Sequence, residues 1–198
     1  MHAWEPMRLP LNLLFPALLA AFMAGVLLSA PFWGGTGMAI FAPSSTSLSY
    51  SIPLDSAQAA FCPSPQCESL SISALDAAQE RIDVAMYSFT NDALGDALVR
   101  AHERGVKVRV LLEKQQNTTS FSEHSKLAAA GILVRVDSNP QLMHHKFAVI
   151  DERFIITGSM NWSANGVREN NENVLVIHSP QLNAHFENEF ERVWGEGV

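Results

Sequence analysis

Charge is missing from a long part of this chain. Between Leu9 and Leu54 there is no Asp, Glu, Lys or Arg, and this stretch explains why only 17% of all residues are charged while 47% are apolar. Within it, residues 11–33 are dominated by Leu, Ala, Phe, Met and Val. As a helix such a run reaches about 35 Å, enough to cross a bilayer core of roughly 30 Å. Arg8 flanks it weakly, offset by Glu5, and small residues near Ser29-Ala30 and Ala39–Ala42 offer cleavage points. The run fits a membrane anchor and a cleaved signal peptide equally, and a buried core helix less well. On either reading the remaining chain is expected to be exported: periplasmic, secreted or held at a membrane.

Cysteine is scarce too. Cys62 and Cys67 are the only two, and with no nearby Cys/His partners they fall short of a zinc site. In an exported protein, with four residues between them, they are expected to form a local disulfide of structural purpose. No cofactor or metal is called for. Positive charge is also short: 13 Lys and Arg against 20 Asp and Glu give a net charge of −7. Glu5 and Arg8 cancel, so removal of residues 1–42 leaves that figure unchanged. That balance argues against a broad basic face for nucleic acid, so any grip on phosphate has to be local. Internal repeats are absent, so whatever site exists occurs once.

What is present is an alternation of helix and strand. Residues 43–60, rich in Ser, Thr, Pro and Ala, read as a linker between residues 1–42 and a single domain over 61–198. Helices are expected over Glu68–Gln79, from Thr90-Asn91-Asp92 to Ala101, over Ser122–Ala130 and over Pro180–Trp194. Strands are expected over Ile82–Phe89, Val106–Leu112, Ile132–Val136, His144–Ile150, Phe154–Thr157 and Asn173–His178. This order predicts an α/β fold, a central mixed sheet flanked by helices on both faces.

The chemistry is concentrated in His144-His145-Lys146, Asp151 and the run Gly158-Ser159-Met160-Asn161. Side chains alternate along a strand, so His144 and Lys146 share one face and His145 takes the other. Ser159 and Asn161 have the same spacing and can line the same cleft. Imidazole, ammonium, hydroxyl and amide converging on one point make a phosphate pocket, in which one group attacks and the others hold oxygens.

The pattern H-x-K-x4-D-x6-G-S-x-N resembles the signature of the phospholipase D superfamily, matched here at every fixed position. Chance would produce six such matches in about one chain per hundred thousand or fewer. Ile82–Thr90 and Gly105–Leu112 look like that family's first two strands, and the likeness covers about residues 60–195. In length and motif number it is nearest to small single-motif bacterial endonucleases of the Nuc type, with a more distant similarity to membrane-anchored mitochondrial Zucchini-like members. The resemblance implies a metal-independent phosphodiesterase. His144 would attack phosphorus and form a phosphohistidine, while Lys146, Ser159 and Asn161 bind the phosphate oxygens. Glu172 would hydrogen-bond His144 and fix its tautomer. Asp151 belongs to the same catalytic signature, but its parity opposes that of Lys146, which favours a turn-stabilising role. A proton donor is needed opposite the nucleophile, and an imidazole near its ordinary pKa of about 6.5 suits the task. A single-motif chain resembles relatives that form a homodimer to supply it.

Among other residues, His145 reads as core or supporting, and Glu187, Glu189 and Glu191 as a solvated helix face. Trp162 reads as packed beside the motif or as a base-stacking surface. Lys114, Lys126, Arg153 and Arg168 are candidate contacts to a substrate backbone. Three functions follow: a nuclease acting on DNA or RNA with little sequence preference, a lipid phosphodiesterase made credible by residues 11–33, and an inactive binding module. The intact His144, Lys146, Asn161 and Glu172 argue against the last.

Overall fold

The computed structural model describes residues 56–118 and 121–198. The membrane or signal segment of residues 1–42, and the linker up to residue 55, lie outside the described residues. Among the described residues no helix is long and apolar enough to cross a membrane.

The domain is built on one seven-stranded sheet: β1 (Ser56–Cys62), β2 (Arg81–Met86), β3 (Lys107–Leu112), β4 (Leu133–Val136), β5 (Lys146–Ile150), β6 (Phe154–Gly158) and β7 (Glu172–His178). Their order across the sheet is β1-β7-β6-β5-β2-β3-β4. β2, β3 and β4 run parallel, and every other neighbouring pair is antiparallel, so the sheet is mixed. The parallel part follows from helical crossovers, which return the chain to the same edge before each new strand.

The helices are α1 (Pro65–Asp76), α2 (Asp92–Glu103), α3 (Lys114–Asn117), α4 (His124–Ala129), α5 (Ala164–Arg168) and α6 (Pro180–Glu196). Their starts are chemically marked. Ser64, Asn91, Ser163 and Ser179 each accept a backbone N–H of the first turn, and Pro65 and Pro180 occupy the following position. In α2 the buried residues Leu94, Ala97, Leu98 and Ala101 recur at helical spacing and face the sheet.

Strand parity divides the core. Ile82, Val84, Met86, Val108, Val110, Ala148 and Ile150 belong to the larger cluster, shared with α1, α2 and α4. Ala85, Leu111, Phe147 and Val149 turn to the other face and pack with Phe190, Val193 and Trp194 of α6. Burial of each large aliphatic or aromatic side chain contributes about 1.5–3 kcal/mol. Buried apolar residues on both sides of the sheet therefore demand helices on both faces, and on the α6 side Arg81, Asp83 and Arg109 add ion pairs with each other and with Glu187 and Glu191.

Several boundaries differ from the sequence reading: β5 begins at Lys146 rather than His144, and β2 ends at Met86 rather than Phe89. β1 begins at Ser56, inside the stretch assigned to a linker, and pairs along its whole length with β7. Its sequence, Ser-Ala-Gln-Ala-Ala-Phe-Cys, has no β-branched residue, and its side chains are mostly exposed, so it lacks an apolar signal. α1 starts at Pro65 rather than Glu68, because Ser64 caps it. Cys62 and Cys67 are disulfide-bonded, tying the end of β1 to α1.

Candidate active site

The strand ends fix the site. Lys146 opens β5 opposite Met86, the last residue of β2. Continuing the β5–β6 register by one step from Phe147–Thr157 sets Gly158 beside Lys146. Gly158 in turn pairs with Val174 of β7, and Glu172 begins that strand opposite Cys62. The carboxyl ends of β2 and β6 and the amino ends of β5 and β7 thus meet at one edge of the sheet.

His144 precedes β5, held by a hydrogen bond from Tyr87 N to His145 O of 2.8 Å. Alternation orients the neighbours. Lys146 and His144 share the face of Ala148 and Ile150, and Lys146 Nζ lies 3.1 Å from His144 Nδ1 and 3.4 Å from Nε2. The ammonium also donates to His144 O at 3.0 Å. His145 turns the other way, its Nε2 2.9 Å from Glu189 Oε1 on α6. Beneath the pair, Tyr87 packs its ring 4.3 Å from the His144 ring and 5.1 Å from Lys146 Nζ. Burial pushes the Lys146 ammonium below its ordinary pKa, and the Glu172 carboxylate opposes that shift.

Gly158 adopts φ 147°, and a Cβ there would come 2.3 Å from Asn173 O. Only glycine lets β6 pass this close to β7 before Ser159 and Asn161. Ser159 Oγ accepts from Asn173 N at 3.1 Å and from Asn173 Nδ2 at 3.3 Å. The Asn161 amide is half-buried, and its Oδ1 is buried with no hydrogen-bond partner among the described residues. An unpaired buried polar atom costs about 1–3 kcal/mol.

Glu172 departs from expectation. Its carboxylate accepts from Asn170 Nδ2 at 3.2 Å, and it shares no hydrogen bond with His144. The reason is register: β6 separates β7 from β5, so the two backbones are about 10 Å apart. Its reach is electrostatic, toward Lys146. Asp151 lies at the opposite end of β5, in the β5–β6 turn, with φ 50°. Its carboxylate accepts from Gln79 N (2.7 Å), Glu80 N (2.8 Å) and Arg81 N (2.9 Å). Its membership of the catalytic signature is therefore a matter of folding; it secures the start of β2 and touches no reacting group.

Trp162 is buried edge-to-face against Phe89, centroids 5.1 Å apart, so base stacking is closed to it. Lys126 is paired with Asp96 at 2.7 Å and Glu123 at 3.1 Å. Lys114 bonds Asn139 O, and Arg153 sits at the far turn over Phe154. Of the four cationic candidates, Arg168 alone remains beside a cleft, of about 450 Å³, lined with Pro63, Ser64, Pro65, Glu68 and Val167. The glutamates of α6 are not a bare solvated face. Glu187 pairs with Arg81, Glu191 with Arg109, and Glu189 with His145 and Arg192. Tyr87 was missed in the sequence because it reads as one more residue of an apolar strand. Among the described residues no group of three or more His, Cys, Asp or Glu is arranged to hold a metal ion.

A family model described as "Cardiolipin synthase, PLD-like domain" matches residues 71–194. The chain belongs to the phospholipase D-like family. Its members include phosphodiesterase hydrolases, among them the mitochondrial cardiolipin hydrolases. The phospholipase D-like domain is 40% identical over 120 residues to the mitochondrial cardiolipin hydrolase of Chlamydomonas reinhardtii, covering 61% of this chain and 54% of that protein. To the mitochondrial cardiolipin hydrolase of Homo sapiens it is 41% identical over 121 residues, covering 61% and 48%. The chain thus spans about half the length of these curated relatives. The crystal structure of a phospholipase D family member, Nuc from Salmonella typhimurium, superposes with a TM-score of 0.68 at 33% identity, over 72% of this chain and 96% of that one. NucT from Helicobacter pylori, at 22% identity and TM-score 0.63 over 72% and 99%, shares the fold.

Proposed function

We propose that this domain is a metal-independent phosphodiesterase cleaving nucleic acid, DNA or RNA, through a covalent phosphohistidine at His144. The observation that carries the reading is the pairing of Lys146 Nζ with the His144 ring at 3.1 Å. A cation for a phosphate oxygen and a lone pair for its phosphorus stand at one point.

In the proposed reaction an imidazole nitrogen of His144 attacks phosphorus. A P–N bond forms as the bond to the leaving oxygen breaks, and Lys146, Asn161 and Ser159 hold the non-bridging oxygens. The leaving oxygen takes a proton from a second imidazole, which one copy of the motif cannot supply. The partner subunit's His144 fits that role in a two-fold homodimer, and afterwards it takes a proton from the water that splits the P–N bond. Glu172 acts through its field on Lys146. Positive side chains and amides bear the phosphate charge, which is the basis for proposing that no metal is used.

Nucleic acid is favoured by the match over nearly the whole of Nuc and by the open sheet edge at which the site lies. The relatives named cardiolipin hydrolase, together with the uncharged residues 11–33, support a second reading, a phospholipid diester at a membrane. Export or anchoring through residues 11–33 is proposed with it. Full-length protein in chelator, assayed against single-stranded DNA, duplex DNA, RNA and anionic phospholipid vesicles, separates them. Cleavage of nucleic acid alone supports the first reading, cleavage of lipid alone the second. Inactivity on all four removes both.

A further inference from the structure

His144 is an exposed residue on a segment that has not yet joined the sheet, yet the proposed attack needs its imidazole fixed. Its ring lies against Lys146 and Tyr87, and Lys146 must release it to bind phosphate. Something else has to hold the backbone. The residue before it, Met143, donates its N–H to Glu113 Oε2 at 2.7 Å.

Glu113 follows β3 and is completely buried. A carboxylate in such a place is tolerated where backbone donors take the place of water, and two do. Besides Met143 N, Gln115 N donates to Oε1 at 3.3 Å, capping α3. α3 leads back to the same histidine. Its Gln116 reaches the Tyr87 hydroxyl at 3.4 Å, and Tyr87 carries the His144 ring. Lys114, on the same short helix, ties Asn139 O in the segment that runs up to Met143. Both arms that define the His144 position are thus gathered by one side chain.

We propose that Glu113 is a positioning residue, setting the orientation of His144 through the Met143 amide on one side and through α3 and Tyr87 on the other. It touches no substrate. The inference rests on the reading of His144 as nucleophile. It differs from a mere cap on α3 in that its loss alters the histidine rather than only the fold.

The test uses full-length protein and bis(p-nitrophenyl) phosphate, comparing wild type, Glu113→Gln and Glu113→Asp. Glutamine keeps the shape but sets an NH2 against one of the two N–H donors; aspartate keeps the charge and withdraws it by a methylene. A displacement near 1 Å costs on the order of 100-fold in rate, so kcat of the folded variants is expected to fall by about 10–100-fold. KM should stay within about two-fold, since the phosphate-binding groups are untouched. In parallel, the His144 imidazole resonance, assigned by its loss in His144→Ala, should shift and broaden in both variants. Unchanged kcat and an unchanged imidazole signal, even with a lowered Tm, would overturn the proposal. If one substitution prevents folding, the other decides. A wild type inert toward the diester would remove the phosphodiesterase reading, and the imidazole signal would still decide whether Glu113 positions His144.

Discussion

The ammonium of Lys146, the first residue of β5, stands 3.1 Å from Nδ1 of His144, two residues earlier in the chain. That separation is too short for a phosphate to lie between them without movement of the lysine. On the proposed mechanism, binding of the diester exchanges one partner of Lys146 for another and frees the imidazole for attack.

Replacing Lys146 with methionine retains length and removes the charge. On the proposed mechanism kcat/KM toward a phosphodiester falls by about 10²–10³-fold, with the far-ultraviolet circular dichroism unaltered. Kinetics and spectra on the same preparation check this.

Tyr87 supports both residues. Tyr87→Leu removes the ring under His144 and the face under Lys146, and a fall in kcat of about ten-fold is expected from loosened orientation. Tyr87→Phe keeps the ring and loses the hydroxyl contact to Gln116, so it should fall between Tyr87→Leu and wild type. Steady-state kinetics of the pair distinguishes ring from hydroxyl.

Asp151 should behave as a folding residue. Its carboxylate collects three backbone N–H groups at 2.7–2.9 Å, so Asp151→Ala is expected to cost about 2–3 kcal/mol of stability. Urea denaturation measures the loss. The kcat of the folded fraction should stay within about two-fold.

Acid sensitivity has an identifiable contributor. Arg192, and after it His145, hold the Glu189 carboxyl down to about 2. A folded-state value below the unfolded one near 4.3 means stability that is complete above that unfolded value. It is lost as pH falls toward 2. Glu189 is about one-third exposed, so solvent screening keeps the effect small. Glu189→Gln is expected to flatten the dependence of Tm on pH between 4.3 and 2. An identical slope in both proteins would contradict this.

Much of this was legible in the amino-acid order, and the exceptions have physical reasons. β2 and β3 are apolar along one face, at Ile82, Val84 and Met86 and at Val108, Val110 and Leu112, and carry Ala85 and Leu111 on the other, which marks them as central strands. The parity that sets His144 and Lys146 on one side and His145 on the other follows from the two-residue repeat alone. β1 was hidden because an exposed edge strand needs no apolar pattern; its backbone bonds to β7 hold it. The distance between Glu172 and His144 depends on β6 lying between their strands, a matter of sheet order that no local pattern carries. Glu113 and Tyr87 escaped for a similar cause. Each reaches the site from the end of a different strand, and only the assembled sheet brings those ends together.

Site sharing makes a separate demand. His144→Ala chains mixed with wild type should yield mixed dimers of sharply reduced activity, because each proposed site needs two imidazoles. Full activity per wild-type chain would show that one subunit suffices.

The central claim is that His144 itself takes the phosphoryl group. Full-length enzyme turning over bis(p-nitrophenyl) phosphate in chelator, quenched in alkali where phosphohistidine survives, can be digested and examined by peptide mass spectrometry. The account predicts a p-nitrophenylphosphoryl adduct on His144, one nitrophenolate having left, and none in His144→Ala. Turnover without an adduct, an adduct on another residue, or activity that appears only on adding metal would contradict it.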